Sequence, residues 1–228
     1  MLPFTYALSL VNRFLELYAQ RKAAATTQFK GRGARRVRCQ TCQMPQQHCF
    51  CEQAILQDSD CGFVLLMHNM EVLRPSNTGR FIADLIPDTY AFIWQRTEPC
   101  EALLALCQQQ QWQPYVVFPA AFSQPERVHY KVELKAGQKP LFIMLDGSWR
   151  EARKMFHQSP WLDTFPVISI NPEQASSYGL RSRPIKGQWA TAEVAAQLLA
   201  MSGEESNGKQ LAQRFSQFTQ QTLAGRNS

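Results

Sequence analysis

The sequence predicts an α/β fold: a mostly parallel β-sheet flanked by helices, with a small cysteine-rich, zinc-binding segment ahead of it. Three observations carry this. From Gly62 onward, short apolar runs alternate with longer amphipathic stretches, the pattern of strands buried on both faces and of the helices that cover them. The apolar content is 45% over 228 residues, enough for one sizeable core and a small appendage. Ahead of Gly62, four of the seven cysteines fall between positions 39 and 51, a density that points to one bound ion.

Each element can be justified in chain order. Residues 1–20 place Phe4, Leu8, Val11, Leu15 and Tyr18 on roughly one face of a helix. Asn12, Arg13 and Glu16 interrupt the apolar run and no basic leader precedes it, so an amphipathic helix is expected rather than a signal peptide. Residues 21–38 form a basic linker with Arg21, Lys22, Lys30, Arg32, Arg35, Arg36 and Arg38 and no acidic residue. It reads either as a solvated connector or as an arm lying along phosphates. Strands are expected at 63–67, 90–94, 115–118, 141–145 and 165–170, and helices from about 79, at 99–111, 149–158, 191–201 and 209–223. The chain thus divides into 1–38 (helix and linker), 39–61 (cysteine segment) and 62–228 (α/β body).

Charge and cysteine usage narrow the function classes. The formal charge is +6 with a pI near 9.0, which favours a polyanionic partner such as nucleic acid. A run of about 18 apolar residues, as a membrane span needs, does not occur. An odd number of cysteines, three of them (Cys61, Cys100, Cys107) scattered in apolar surroundings, fits a reducing, cytoplasmic setting better than a disulfide framework.

The cysteines stand as Cys39-x₂-Cys42-x₆-Cys49-x-Cys51. Zn²⁺ takes four thiolates in a tetrahedron, and paired short spacings let two turns close on one ion. His48 is a possible substitute ligand. A four-thiolate site keeps no open position, so its job is structural.

The chemistry is expected after the strand at 141–145. There Asp146, Gly147 and Ser148 make a turn into a basic helix that opens at Trp149. A carboxylate at the end of an interior strand, beside a helix N-terminus, is where α/β enzymes place a general base. The alternative role for Asp146 is helix N-capping. Arg150, Arg153 and Lys154 are suited to hold an anion, and Trp149 either stacks on a base or anchors the helix. The loop after the first strand carries His68, Glu71, Arg74, Asn77, Thr78, Gly79 and Arg80. Arg74 and Arg80 are typed for phosphate. Asn77-Thr78-Gly79 is also good turn and capping chemistry, Glu71 and Arg74 could pair, and His68 reads as an ordinary hydrogen-bonded histidine. The long loop 176–190 brings Arg181, Arg183 and Lys186, again typed for phosphate or carboxylate. Thr191 is the expected N-cap of the helix that follows, with Glu193 favourable to its dipole.

These stretches, with the Phe118-Pro119 turn and Leu180-Arg181, resemble the DTW-domain family over about residues 36–200. Ser148 stands where the family usually has threonine, His68-Asn69 where His-Pro is frequent, and the N-terminal helix looks like an extension. The resemblance implies a fold similar to the SPOUT class, with a deep C-terminal knot. It also implies a tRNA-uridine aminocarboxypropyltransferase, moving the 3-amino-3-carboxypropyl group of S-adenosylmethionine to N3 of uridine 47 in the tRNA variable loop. Carried onto this chain, Asp146 becomes the catalytic base. The cofactor would be held by Phe118, Pro119, Ala120, Leu145, Gly147, Ser148, Trp149, Leu180, Arg181, Thr191 and Glu193, in loops after the third, fourth and fifth expected strands. The tRNA would meet Arg35, Arg36, Arg74, Asn77, Thr78, Arg80, Arg150, Arg153, Lys154, Arg183 and Lys186.

Overall fold

Among the described residues, six strands form one sheet in which every pairing is parallel. The computed structural model describes residues 12–26, 36–51, 55–170 and 189–227. The strands are β1 (Gly62–Met67), β2 (Thr89–Ile93), β3 (Trp112–Val117), β4 (Val128–His129), β5 (Lys139–Asp146) and β6 (Val167–Ile168), in the spatial order β2-β1-β5-β3-β6-β4. The adjacent strands β1 and β5 run in register from Gly62↔Leu141 to Met67↔Asp146. β1 leads to β2 on one side, whereas β5 leads to β6 on the other. The chain therefore diverges at the carboxyl ends of β1 and β5, the topological switch point where open α/β sheets place ligands.

Strand side chains alternate between two cores. Phe63, Leu65, Met67, Phe142 and Met144 face one core. It is covered by α1 (Arg13–Ala23), the short α2 (Arg80–Ala83), α5 (Thr191–Met201) and α6 (Glu205–Asn227). Val64, Leu66, Ile143 and Val116 face the other, beneath α3 (Glu101–Cys107) and α4 (Trp149–His157), which contribute Leu103, Met155 and Phe156. Near-continuous apolar strands are what burial on both faces requires. No described helix is long and apolar enough to cross a membrane.

Some boundaries differ from the sequence expectation, for local reasons. Asn12 caps α1, its Oδ1 accepting from Leu15 N at 3.1 Å, so the helix begins at Arg13 and buries Phe14 as its main anchor. Phe4, Leu8 and Val11 lie outside the described residues. The expected strand at 165–170 narrows to β6, and β4 is too short to leave a periodic signal. Pro114 sits inside β3 because β6 pairs only Val116 and Val117, leaving no ladder partner on that side for a proline to deny. α5 and α6 approach closely at Gly208: a Cβ there would lie 2.6 Å from the Ala196 carbonyl oxygen. The buried pair of Arg214 with Asp84, at 2.6 Å, ties α6 to the end of α2.

Candidate active site and metal centre

Asp146 ends β5 and is 3% exposed, its carboxylate turned into the protein. Thr191 Oγ1, from the first turn of α5, donates to Oδ1 at 2.6 Å, and Asn77 Nδ2, from the loop after β1, donates to Oδ2 at 2.7 Å. The backbone joins in, His68 N donating to the Asp146 carbonyl at 3.0 Å. Gly79 is required nearby, because a Cβ at that position would stand 2.7 Å from Asp146 Oδ2. Burial, and then the neighbouring Glu71 carboxylate, push the Asp146 pKa up to about 6 against the pull of Thr191, Asn77 and Arg80. Such a group is ionised at neutral pH and is a stronger base than an ordinary aspartate.

Around this carboxylate the capping roles differ from the sequence expectation. Ser148, not Asp146, caps α4: its Oγ accepts from Glu151 N at 3.4 Å, and Glu151 Oε2 accepts from Ser148 N at 2.7 Å, a full capping box. Thr191 spends its hydroxyl on Asp146, so Ala190 takes the cap position of α5. Glu193 then stands at the third helical residue and accepts Ala190 N–H at 2.7 Å. Glu151 is a hub that sequence reasoning passed over. Arg74 Nη2 donates to it at 3.3 Å and His68 Nδ1 lies 3.1 Å away. Burial opposes its ionisation, but Ser148 with Arg74 and His68 outweighs that and holds the carboxyl below its ordinary range. Its signal was present as the acid three residues after Ser148.

The expected phosphate contacts divide into two groups. Arg150, Arg153 and Lys154 are exposed along α4, and Arg36 is exposed ahead of the cysteines. Arg74 is half-exposed and pairs with Glu71 at 2.7 Å as the sequence allowed. Asn77, Thr78 and Arg80 are instead buried, which corrects their assignment as surface contacts to tRNA. Thr78 Oγ1 accepts from Ala192 N at 3.3 Å. Arg80, 1% exposed, donates at 2.8 Å to each of four carbonyls: Asn77, Cys42, Arg74 and Pro75. Burial lowers its pKa to about 10, which leaves it charged at neutral pH. A guanidinium so committed is a staple, because the buried Asn77 and Cys42 carbonyls would lose this partner in the interior. Arg35, Arg183 and Lys186 lie outside the described residues, as do Leu180 and Arg181.

The other positions expected around the cofactor lie at the same end of the sheet. Phe118 is buried and stacks on Phe156 at 4.3 Å and on Trp149 at 5.5 Å, both with ring planes 9° apart. Trp149 itself is 38% exposed. Pro119 is exposed, Ala120 donates its N–H to Ser169 Oγ at 3.0 Å, and Leu145 packs on the second core. Gly147 lies against Glu151 and His68. A separate concavity of about 470 Å³, between α1, β2 and α3, includes none of these residues.

The second cluster is local. The Sγ atoms of Cys39, Cys42, Cys49 and Cys51 all lie within 4.8 Å of one another, with Cys39–Cys51 at 3.6 Å and Cys42–Cys49 at 3.8 Å. Four sulfurs about 2.3 Å from a tetrahedral zinc would stand roughly 3.8 Å apart, so the cluster could hold such an ion. Burial pushes the Cys39 thiol up, but the N–H groups of Cys42 and Thr41 and the adjacent thiols bring it down to about 7. Thiolate formation, which a metal needs, is thereby favoured at Cys39, whereas burial pushes the Cys42 and Cys51 thiols up. Gln43 turns the chain at φ 60°, and its side chain is held by a bond to Gln40 O and one from Tyr18 OH. His48 is not among the clustered ligands; its Nδ1 lies 3.1 Å from Gln221 Oε1.

Comparison with known proteins now decides the family. The model of the DTW domain matches residues 36–223, which include both the cysteine cluster and the Asp146 site. The chain belongs to the DTW-domain family. This DTW chain is also 30% identical over 89 residues to tRNA-uridine aminocarboxypropyltransferase 2 of Drosophila melanogaster, a match covering 39% of the chain and 34% of that relative. The chain thus spans about a third of the length of the curated relative it matches. No solved structure matches it.

Proposed function

We propose that this DTW-domain chain is a tRNA-uridine aminocarboxypropyltransferase. It transfers the 3-amino-3-carboxypropyl group of S-adenosylmethionine to N3 of uridine 47 in the tRNA variable loop and releases methylthioadenosine. Family membership and the name of the fly relative support the reading. The observation that carries it is Asp146, a buried carboxylate with raised proton affinity at the switch point between β1 and β5.

Uracil N3 is a poor nucleophile until its proton leaves. Asp146, ionised above pH about 6, accepts that proton. Asn77 and Thr191 occupy one lone pair on each carboxylate oxygen and so fix its direction while leaving acceptor capacity. When bound, S-adenosylmethionine supplies a sulfonium whose neutral thioether is the leaving group. The Trp149 ring, braced by Phe118, offers a π face suited to that cation. The turns at 118–120 and 146–149, with the first turn of α5, would hold the cofactor, and Leu180 and Arg181 complete the proposed set. Selection of the γ-carbon over the methyl is a matter of position, since the same sulfonium activates both. Arg36, Arg74, Arg150, Arg153 and Lys154 would meet tRNA phosphates, joined by Arg35, Arg183 and Lys186. The four cysteines would hold one structural zinc.

Incubation with tRNA and S-adenosylmethionine, followed by mass spectrometry of nucleosides and small products, tests the reading. Aminocarboxypropyluridine with methylthioadenosine is the expected pair. S-adenosylhomocysteine with a methylated base would make the protein a methyltransferase, and bound tRNA with unchanged nucleosides would make it a non-catalytic RNA-binding protein; either ends the proposal. Metal analysis should return about one zinc per chain. Binding of tRNA should weaken steeply with salt, and a flat salt response would remove the arginines and lysines from the interface.

A further inference from the structure

Glu71 is a buried acid with no part in the reaction above. It lies in the short turn Glu71–Leu73 after β1. Both of its oxygens are engaged: Oε1 accepts from Asn77 Nδ2 at 3.1 Å and Oε2 from Arg74 Nη1 at 2.7 Å. The same Asn77 nitrogen donates to Asp146 Oδ2 at 2.7 Å. The amide cannot turn over without loss, because its Oδ1 takes the Arg80 backbone N–H at 3.2 Å. One NH₂ group, with its two hydrogens, therefore bridges two buried carboxylates. We infer that Glu71 is a positioning residue whose negative charge, held across the Asn77 amide, sets the proton affinity of Asp146.

The chemistry of the bridge separates this role from simple orientation. Orienting Asn77 needs only an acceptor, which a neutral glutamine would supply without burying a second charge beside the first. A like charge so near disfavours ionisation of Asp146 and makes it a better base. Among the described residues, the groups facing Asp146 are few. Glu71 and Asn77 come from the loop after β1, Arg80 from α2 and Thr191 from α5. Arg80 opposes Glu71 but is tethered to four carbonyls, whereas Arg74 divides its charge between Glu71 and Glu151. His68 Nδ1 faces Glu151 at 3.1 Å, and Glu193 is engaged by Ala190 N–H. Glu71 ranks directly after burial among the causes that raise Asp146.

The catalytic consequence rests on the proposed reaction, but the electrostatic one does not. The test is Glu71→Gln in the full chain, following the Asp146 carboxyl by ¹³C NMR of labelled aspartate, assigned by its loss in Asp146→Asn. The titration midpoint should fall by about one pH unit, with the acidic limb of kcat/KM moving in parallel and KM for tRNA unchanged. At pH 8 kcat should fall about 3- to 10-fold, as a weaker base requires. Arg74→Gln removes the counter-ion of Glu71 and should move the carboxyl midpoint upward, which keeps the idea testable if Glu71→Gln does not fold. A midpoint unmoved in either folded variant, or a rate loss equal at every pH, overturns the inference. A midpoint that moves while the unsubstituted protein forms no modified nucleoside leaves the tuning intact and removes the reaction.

Discussion

The cysteine knuckle and the Asp146 site are assembled in opposite ways. The knuckle closes on itself between Cys39 and Cys51, and its four sulfurs suit one cation. The Asp146 site draws Asn77 from 69 residues upstream and Thr191 from 45 residues downstream, and hydrogen bonds rather than a bound ion hold its buried charge. Local spacing can specify the first. The second exists only once β1, β5 and α5 are packed. Arg80 joins them, with Nη1 on the Cys42 carbonyl and its backbone N–H on Asn77 Oδ1. The cysteine segment therefore buttresses the loop that orients the carboxylate.

The largest effect should come at the centre of the second region. Asp146→Asn should lower transfer about a thousandfold while tRNA affinity changes less than about twofold, measured by single-turnover assay and filter binding. Transfer at the parental rate would end the general-base role.

Breaking the staple between the two regions comes next. Arg80→Gln should cost about 3 kcal/mol in denaturant unfolding, because carbonyls it now satisfies would be left buried and unpaired. Zinc content should stay unchanged, since the ligands are untouched; loss of metal with the staple would mean that the knuckle depends on the body. A pH comparison follows. The folded pKa of Asp146 lies above its ordinary value, at about 6. Its contribution to stability is therefore present below pH about 4 and is lost as pH rises through about 6. The unfolding free energy of the parent relative to Asp146→Asn should fall by roughly 3 kcal/mol between pH 4 and 8. A difference that is flat with pH would show that the carboxyl is not perturbed. The smallest effect is steric. Gly79→Ala, which places a methyl group against Asp146 Oδ2, should destabilise by about 2 kcal/mol and reduce transfer. A neutral outcome would mean the loop gives way.

Much of the scaffold was legible because its signals are local. The apolar runs at 63–67 and 141–145 mark strands buried on both faces, and they are the adjacent pair β1 and β5. Ser148 and Glu151, three residues apart, carry the capping-box signal of α4, which sequence reasoning passed over. β4 was missed because two residues carry no period. Arg80 was misread because a surface arginine and a buried staple look alike until the carbonyls around it are known.

The sequence by itself determined the α/β class, the four-cysteine cluster and the turn that presents Asp146. Each rests on neighbours along the chain, where spacing alone fixes geometry. Only the tertiary structure decided that Asn77 and Thr191 hold the carboxylate, that Glu71 sits across one amide from it and that Arg80 faces inward. These relations depend on strand order and on which groups lose water together, and no local pattern encodes either.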